Sequence, residues 1–141
     1  MTRFLLDTMV VSEATKARPD PVAAAWLESQ RIDACYLSVL TLGELQFGIA
    51  RLPAASAQRA ELTRWLHDTL LPTFRDRILP FDREAALEWG ASAARAAVRG
   101  KRLQTVDAQI AATAKTRELT LATRNERDFA GVDIDIVNPW G

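Results

Sequence analysis

The feature that most constrains this chain is its rhythm: short apolar runs alternate with longer stretches of helical periodicity from one end to the other. Such alternation is the signature of βαβ units, in which parallel strands are joined through helices. It predicts an α/β fold, one domain over residues 1–141, with a central, mainly parallel five-stranded sheet flanked by helices. The strands are expected at Phe4–Leu6, Ala34–Leu37, Arg77–Leu79, Leu119–Ala122 and Ile134–Val137. In the last of these, the alternation Asp133-Ile134-Asp135-Ile136 predicts a half-exposed edge strand.

The helices are punctuated by familiar chemistry. Residues near Val10–Thr15 predict a short helix. Asp20 with Pro21 opens a second that ends near Gln30, the acid as cap and the proline at the first helical position. Ser38 or Thr41 is expected to cap a helix on which Leu42, Leu45, Ile49 and Leu52 share one face. Glu44 falls roughly opposite that stripe, free to face a cleft. Pro53 ends this helix, and another is expected from about Ala54 to Leu71, stopped by Pro72. Asp82 caps an Ala-rich helix running to Val98, Gly100 stops it, and Val106–Thr116 predicts one more.

Composition narrows the class. With 18 Lys and Arg against 18 Asp and Glu the net charge is zero, so overall electrostatics do not announce a nucleic-acid binder. A local acidic pocket and a local basic rim would cancel in that total. Candidates for the rim are Arg95, Arg99, Lys101, Arg102, Arg124 and Arg127, each of which also reads as an ordinary solvated charge. No apolar run approaches the roughly 20 residues needed to span a bilayer, and the acid within MTRFLLDTMVV argues against a signal peptide. The single cysteine, Cys35, reads as a buried small hydrophobe in a reducing cytoplasm.

Four acids carry the chemistry: Asp7 in FLLDT, Glu44 in TLGEL, Asp107 in TVDAQIAATA and Asp128 in LATRNERDF. Each stands where an α/β fold brings strand carboxyl ends to a common crevice. Gathering carboxylates is costly, because like charges in a partly buried pocket raise one another's pKa. A divalent cation removes that cost, and oxygen ligands suit Mg²⁺ or Mn²⁺. Plainer readings stand beside this one. Asp7 suits the cap of the helix after it. Thr41-x-x-Glu44 matches a capping box. Thr105 could cap the helix whose first turn holds Asp107. In the last loop Thr123 could orient a carboxylate, and either Asn125 or Asp128 could be the inward-facing residue; Thr8, beside Asp7, is a further orienting hydroxyl.

Other reactive residues point elsewhere. His67 reads as a surface residue, and one His with one distant Cys makes neither a zinc site nor a Cys–His pair. No Gly-rich phosphate loop and no nucleophile elbow is present. Trp26, Trp65 and Trp89 fit helix core faces, and Trp140 in NPWG fits a pin for the C-terminus.

LLDTMVVSE, LSVLTLGELQFGI, TVDAQIAATA and LATRNERDFAGVDIDIVNPW together resemble the PIN-domain ribonucleases, particularly VapC-type and FitB-like toxins of toxin–antitoxin pairs. The resemblance runs end to end. It implies a Mg²⁺- or Mn²⁺-dependent endoribonuclease that hydrolyses phosphodiester bonds, leaving a 5′-phosphate and a 3′-hydroxyl. It implies a cytoplasmic homodimer held inactive by a small antitoxin. By position Asp7, Glu44 and Asp107 match the family's acidic core. The fourth position falls on Asn125 or on Asp128, depending on register. Lys101, Arg102 and Arg124 are placed to hold RNA. Two departures stand out: Met9 replaces the asparagine the family often has in D-T-N, and Asn125, if it is the fourth position, carries no charge.

Gly43 and Gly48 each cost about 1 kcal/mol relative to Ala inside a helix, so close approach of another backbone is expected there. With Phe47 that face could meet a partner subunit, an antitoxin segment or a neighbouring helix of the same chain. Two rival functions remain: a degenerate module of the same fold that only binds or regulates, and a Mg²⁺-dependent phosphatase. Against the phosphatase, Asp7-Thr8-Met9 lacks the second acid of an Asp-x-Asp pair.

Overall fold

The computed structural model describes residues 1–141. In chain order the elements are β1 (Phe4–Leu6), α1 (Thr8–Glu13), α2 (Pro21–Ser29), β2 (Cys35–Ser38), α3 (Val39–Ala50), α4 (Ala57–Trp65), α5 (Leu71–Phe74), β3 (Ile78–Leu79), α6 (Arg83–Val98), α7 (Thr105–Thr116), β4 (Thr120–Ala122) and β5 (Ile136–Val137). The strands form one sheet in the order β3-β2-β1-β4-β5, and every pairing is parallel. The expectation of a mainly parallel sheet is met by an entirely parallel one.

The two-residue period of a strand divides the core. Phe4 and Leu6 point to one face, with Cys35, Leu37 and Ala122, against α1 to α5. Leu5 and Leu121 point to the other, against Ile110, Ala111 and Ala114 of α7 and against Phe129. Both faces are therefore dry, which is why the strands read as plain apolar runs. Phe4 meets Trp26 edge to face at 5.0 Å between ring centroids, and Trp65 and Trp140 pack on the same core. β5 lies at the edge and is half-buried, as expected, but it covers only Ile136–Val137, so Asp133–Asp135 of the alternating run precede the strand.

Several boundaries differ from expectation for local physical reasons. The cap of α3 is Ser38, whose hydroxyl accepts from the Leu40 amide at 3.0 Å; Thr41 is buried one turn on, so the Thr41–Glu44 capping box does not form. α4 begins at Ala57 under a Ser56 cap. Pro72 does not stop the helix. A π-helical turn over Leu66–Leu70 widens the coil, and Pro72 sits in the first turn of α5 beyond it, where a missing N–H costs least. α7 takes Gln104 as its N-cap with no side-chain bond, so Thr105 lies in the helix rather than capping it. The loop after β4 carries a short 3-10 turn, Glu126–Phe129.

Topology places the crevice. β2 and β3 build out from one side of β1, while β4 and β5 build out from the other. The carboxyl ends of β1 and β4 therefore form the switch point, where open α/β sheets bind ligands.

Candidate active site

Asp7 and Thr123 are the first residues beyond β1 and β4. Leu6 pairs with Ala122 in parallel register, so these next residues emerge side by side. The Asp7 amide donates to the Ala122 carbonyl at 2.9 Å, and the Thr123 hydroxyl donates to Asp7 Oδ2 at 2.8 Å. Asp7 Oδ1 accepts from the Thr8 amide at 2.8 Å as the cap of α1. The capping and crevice readings of Asp7 are thus compatible: one oxygen caps, the other is held by Thr123. Asp7 is only 5% exposed. Burial pushes its carboxyl above the ordinary aspartate range, against the lowering effect of the Thr123 and Thr8 hydrogen bonds.

Glu44 comes to the crevice from α3. Its Oε1 accepts from the Thr8 hydroxyl at 2.5 Å, and the buried Thr41 hydroxyl lies 3.4 Å from that of Thr8. Asp107, in the first turn of α7, completes the convergence. Its carboxyl is pushed up to about 6, first by burial and then by the charges of Asp7, Glu44 and Asp128. Three acids far apart in the sequence thus bear on Asp107 electrostatically.

The loop after β4 holds both contenders for the fourth position. The Asn125 amide donates to Thr123 Oγ1 at 3.2 Å, and its side-chain Nδ2 donates to Met9 Sδ at 3.3 Å. The two positions that depart from the resemblance therefore touch each other. Asp128 is exposed and faces Asp107 electrostatically. Among the cations, Arg124 lies over the Trp140 ring at 5.2 Å. Lys101 and Arg102 instead line a cavity of about 330 Å³ with Arg95, Arg99, Arg127 and Asp128.

The family described as PIN domain matches residues 4–135. The chain belongs to the PIN-domain family. Across 137 residues it is 40% identical to VapC ribonuclease Y4jK of Sinorhizobium fredii, covering 97% of each chain. It is 39% identical to Toxin FitB of Neisseria gonorrhoeae, covering 97% of this chain and 98% of that one. The crystal structure of FitAcB from Neisseria gonorrhoeae superposes with a TM-score of 0.92 at 39% identity, over 97% of this chain and 98% of that chain. A toxin–antitoxin complex from Klebsiella pneumoniae superposes with a TM-score of 0.70 at 27% identity, over 96% of each chain.

The donor set of this PIN domain suits a hard cation: carboxylates and hydroxyls converge, and no His or Cys intrudes. The acid that rises most, Asp107, is the one a cation would relieve. The side chains are not drawn into a finished cage. No three of the acids lie close enough to hold an ion together, and Glu44 instead bonds Thr8. His67 is exposed in the π-helical turn, as expected. No helix is long and apolar enough to cross a membrane.

Two features escaped the sequence. Thr41 is a buried hydroxyl beside Thr8, and its only sequence signal was the misleading capping-box spacing. Glu13 is buried at the end of α1, where the Lys16 ammonium and then the Asp20 amide hold its carboxyl below the ordinary glutamate range.

Proposed function

We propose that this chain is a divalent-metal-dependent endoribonuclease, the toxin of a toxin–antitoxin pair, with Asp7, Glu44, Asp107 and Asp128 as its working carboxylates. The observation that carries the reading is the rise of Asp107 to about 6, first through burial and then through the charges of Asp7, Glu44 and Asp128. Beside it stand the hydrogen bonds that hold Asp7 and Glu44 at the same crevice through Thr123 and Thr8. Similarity to VapC ribonuclease Y4jK and to Toxin FitB supports both the reaction and the toxin role.

In this account Asp7, Glu44 and Asp107 would hold Mg²⁺ or Mn²⁺, with Asn125 or Asp128 completing the set. When bound, such an ion lowers the pKa of a water and stabilises charge on phosphoryl oxygens. The chain does the positioning. Thr123 and the Thr8 amide fix both oxygens of Asp7, so its orientation is set before any ligand arrives. The Thr8 hydroxyl keeps Glu44 at the crevice wall. Asp107 carries its proton up to about pH 6 and must release it for the ion to bind.

The partners follow the same reading: an RNA substrate, a small antitoxin and a second copy of the chain, in the cytoplasm, with residues 1–141 as a single domain. The face around Phe47 supports a partner surface. Phe47 is 64% exposed, with the Arg51 guanidinium 5.3 Å from its ring. A Cβ at Gly43 or Gly48 would meet nothing within 4 Å. The internal helix contact considered for those glycines is therefore absent, and space is left for another chain.

A second reading, a non-catalytic module of the same fold, is favoured by one observation: no three acids are gathered closely enough to hold an ion. One experiment separates them. Purified, partner-free protein is incubated with a transfer- and ribosomal-RNA pool, single-stranded DNA and p-nitrophenyl phosphate, each with Mg²⁺, Mn²⁺ or chelator. Discrete RNA products that chelator abolishes are expected. Turnover of the phosphomonoester alone would revive the phosphatase, and no turnover with weak Mn²⁺ binding would establish the binding module.

A further inference from the structure

The geometry points to a phosphate-binding subsite for the RNA strand in the cavity between the end of α6 and the loop after β4, with Arg102 and Arg127 as its ligands. The inference rests on the nuclease reading for the identity of the anion. In a chain of zero net charge, five of the 18 cations line this one cavity of about 330 Å³. A volume of this order suits a nucleotide-sized group.

The five do not play equal parts. Arg95 Nη2 donates to Glu88 Oε2 at 3.0 Å. Arg99 Nη2 donates to the Gly131 carbonyl at 2.8 Å, and Lys101 Nζ to the Ala130 carbonyl at 3.2 Å. These last two bonds stitch the 99–101 segment to residues 130–131 and form the cavity wall. Gly131 permits the approach: its φ is +88°, and a Cβ there would meet Lys101 Nζ at 3.3 Å. Arg102 and Arg127 make no ion pair and no side-chain hydrogen bond. They are two uncommitted guanidiniums on a fixed wall. A phosphodiester offers the paired oxygens that such planar forks accept.

Position favours the RNA strand over another anion. Asp128 lines the cavity and is among the charges that bear on Asp107, so one residue is common to the cavity and the acidic crevice. A strand with one phosphate between Arg102 and Arg127 would carry a neighbouring phosphate to the acids. Asp133 also lines the cavity, with its charge answered by Lys115 at 3.9 Å. Arg124 is not part of this track, because it is stacked on Trp140.

The test is fluorescence anisotropy of a fluorescein-labelled oligouridylate in EDTA, across a salt series. The whole chain is compared with Arg102→Ala/Arg127→Ala, with Arg102→Lys/Arg127→Lys and with Arg124→Ala. Losing the one phosphate held between the two guanidiniums lowers the log–log salt slope by about 0.7, which is about 5-fold in affinity at about 0.1 M salt relative to 1 M. The double Lys variant should keep the slope, and Arg124→Ala should match the parent. Unchanged affinity and slope in the double Ala variant would overturn the subsite, as would an equal loss in Arg124→Ala or no binding by the parent chain. Steady-state cleavage separates this proposal from the one beneath it. If RNA is cut and the double Ala variant keeps its KM, the subsite falls and the nuclease stands. A raised KM with kcat held supports it. If nothing is cut but oligouridylate affinity still drops in the variant, the subsite stands and the nuclease falls.

Discussion

Replacing Asp107 with Asn should make the metal-free protein more stable at neutral pH while abolishing its activity. In the folded chain the Asp107 carboxyl titrates at about 6, against 3.8 for an ordinary aspartate. It binds its proton more tightly folded than unfolded. Its cost to stability is therefore fully present above about pH 6 and disappears as the pH falls toward 3.8. The shift corresponds to about 3 kcal/mol at 1.36 kcal/mol per unit. Partial exposure of the side chain screens part of this, leaving about 1–2 kcal/mol. Asparagine is nearly isosteric and carries no charge, so it should recover that amount. For a chain of this size 1 kcal/mol moves Tm by about 3 °C. Thermal and urea unfolding in EDTA, for wild type and Asp107→Asn at about pH 8 and about pH 4.5, reads the effect directly. The variant should melt about 3–6 °C higher at the upper pH, with the gap closing at the lower. A variant that is neutral or destabilised at pH 8, or a gap independent of pH, would refute the claim that burial and the neighbouring charges raise Asp107.

Thr123→Val keeps the shape of a buried side chain but removes the 2.8 Å hydrogen bond to Asp7. It should cost about 1–3 kcal/mol in urea unfolding, because a buried carboxylate oxygen is left unsatisfied. Mn²⁺ binding should be proton-coupled: by calorimetry, affinity should fall about ten-fold per pH unit below about 6 as the ion competes with the Asp107 proton. Affinity that stays level across that range would remove Asp107 from the ligand set.

Much of the fold is legible because the strands are buried on both faces. Phe4–Leu6 and Leu119–Ala122 read as uninterrupted apolar runs, and Asp20-Pro21 and Asp82 announce helix starts through local capping that no distant contact overrides. The errors fall where tertiary packing decides. Pro72 reads as a terminator, yet a π-helical turn set by Leu66 and Leu70 in the core carries the helix past it. Thr41 and Glu44 have the spacing of a capping box, but Thr41 is buried beside Thr8 and Glu44 is drawn to the same Thr8, 36 positions away in sequence. Asp7 stands out because a charge directly after the β1 run interrupts the apolar pattern. Glu44, Asp107 and Asp128 lie on helices or a turn and stand out through their motifs. Their partners do not: the Thr123–Asp7 bond depends on the register between β1 and β4, which no local pattern records. Likewise nothing in the sequence separates Arg124, stacked on Trp140, from Arg127, free at the cavity.

The most direct test of the central claim is RNA cleavage by wild type, Asp7→Asn and Asp107→Asn, purified in parallel without partner and assayed with Mg²⁺ and Mn²⁺. The account predicts discrete products from the wild type, bearing 5′-phosphates, and none from either variant, both remaining folded. Wild-type rates in either variant would contradict it, because a site built on these two carboxylates cannot work without them.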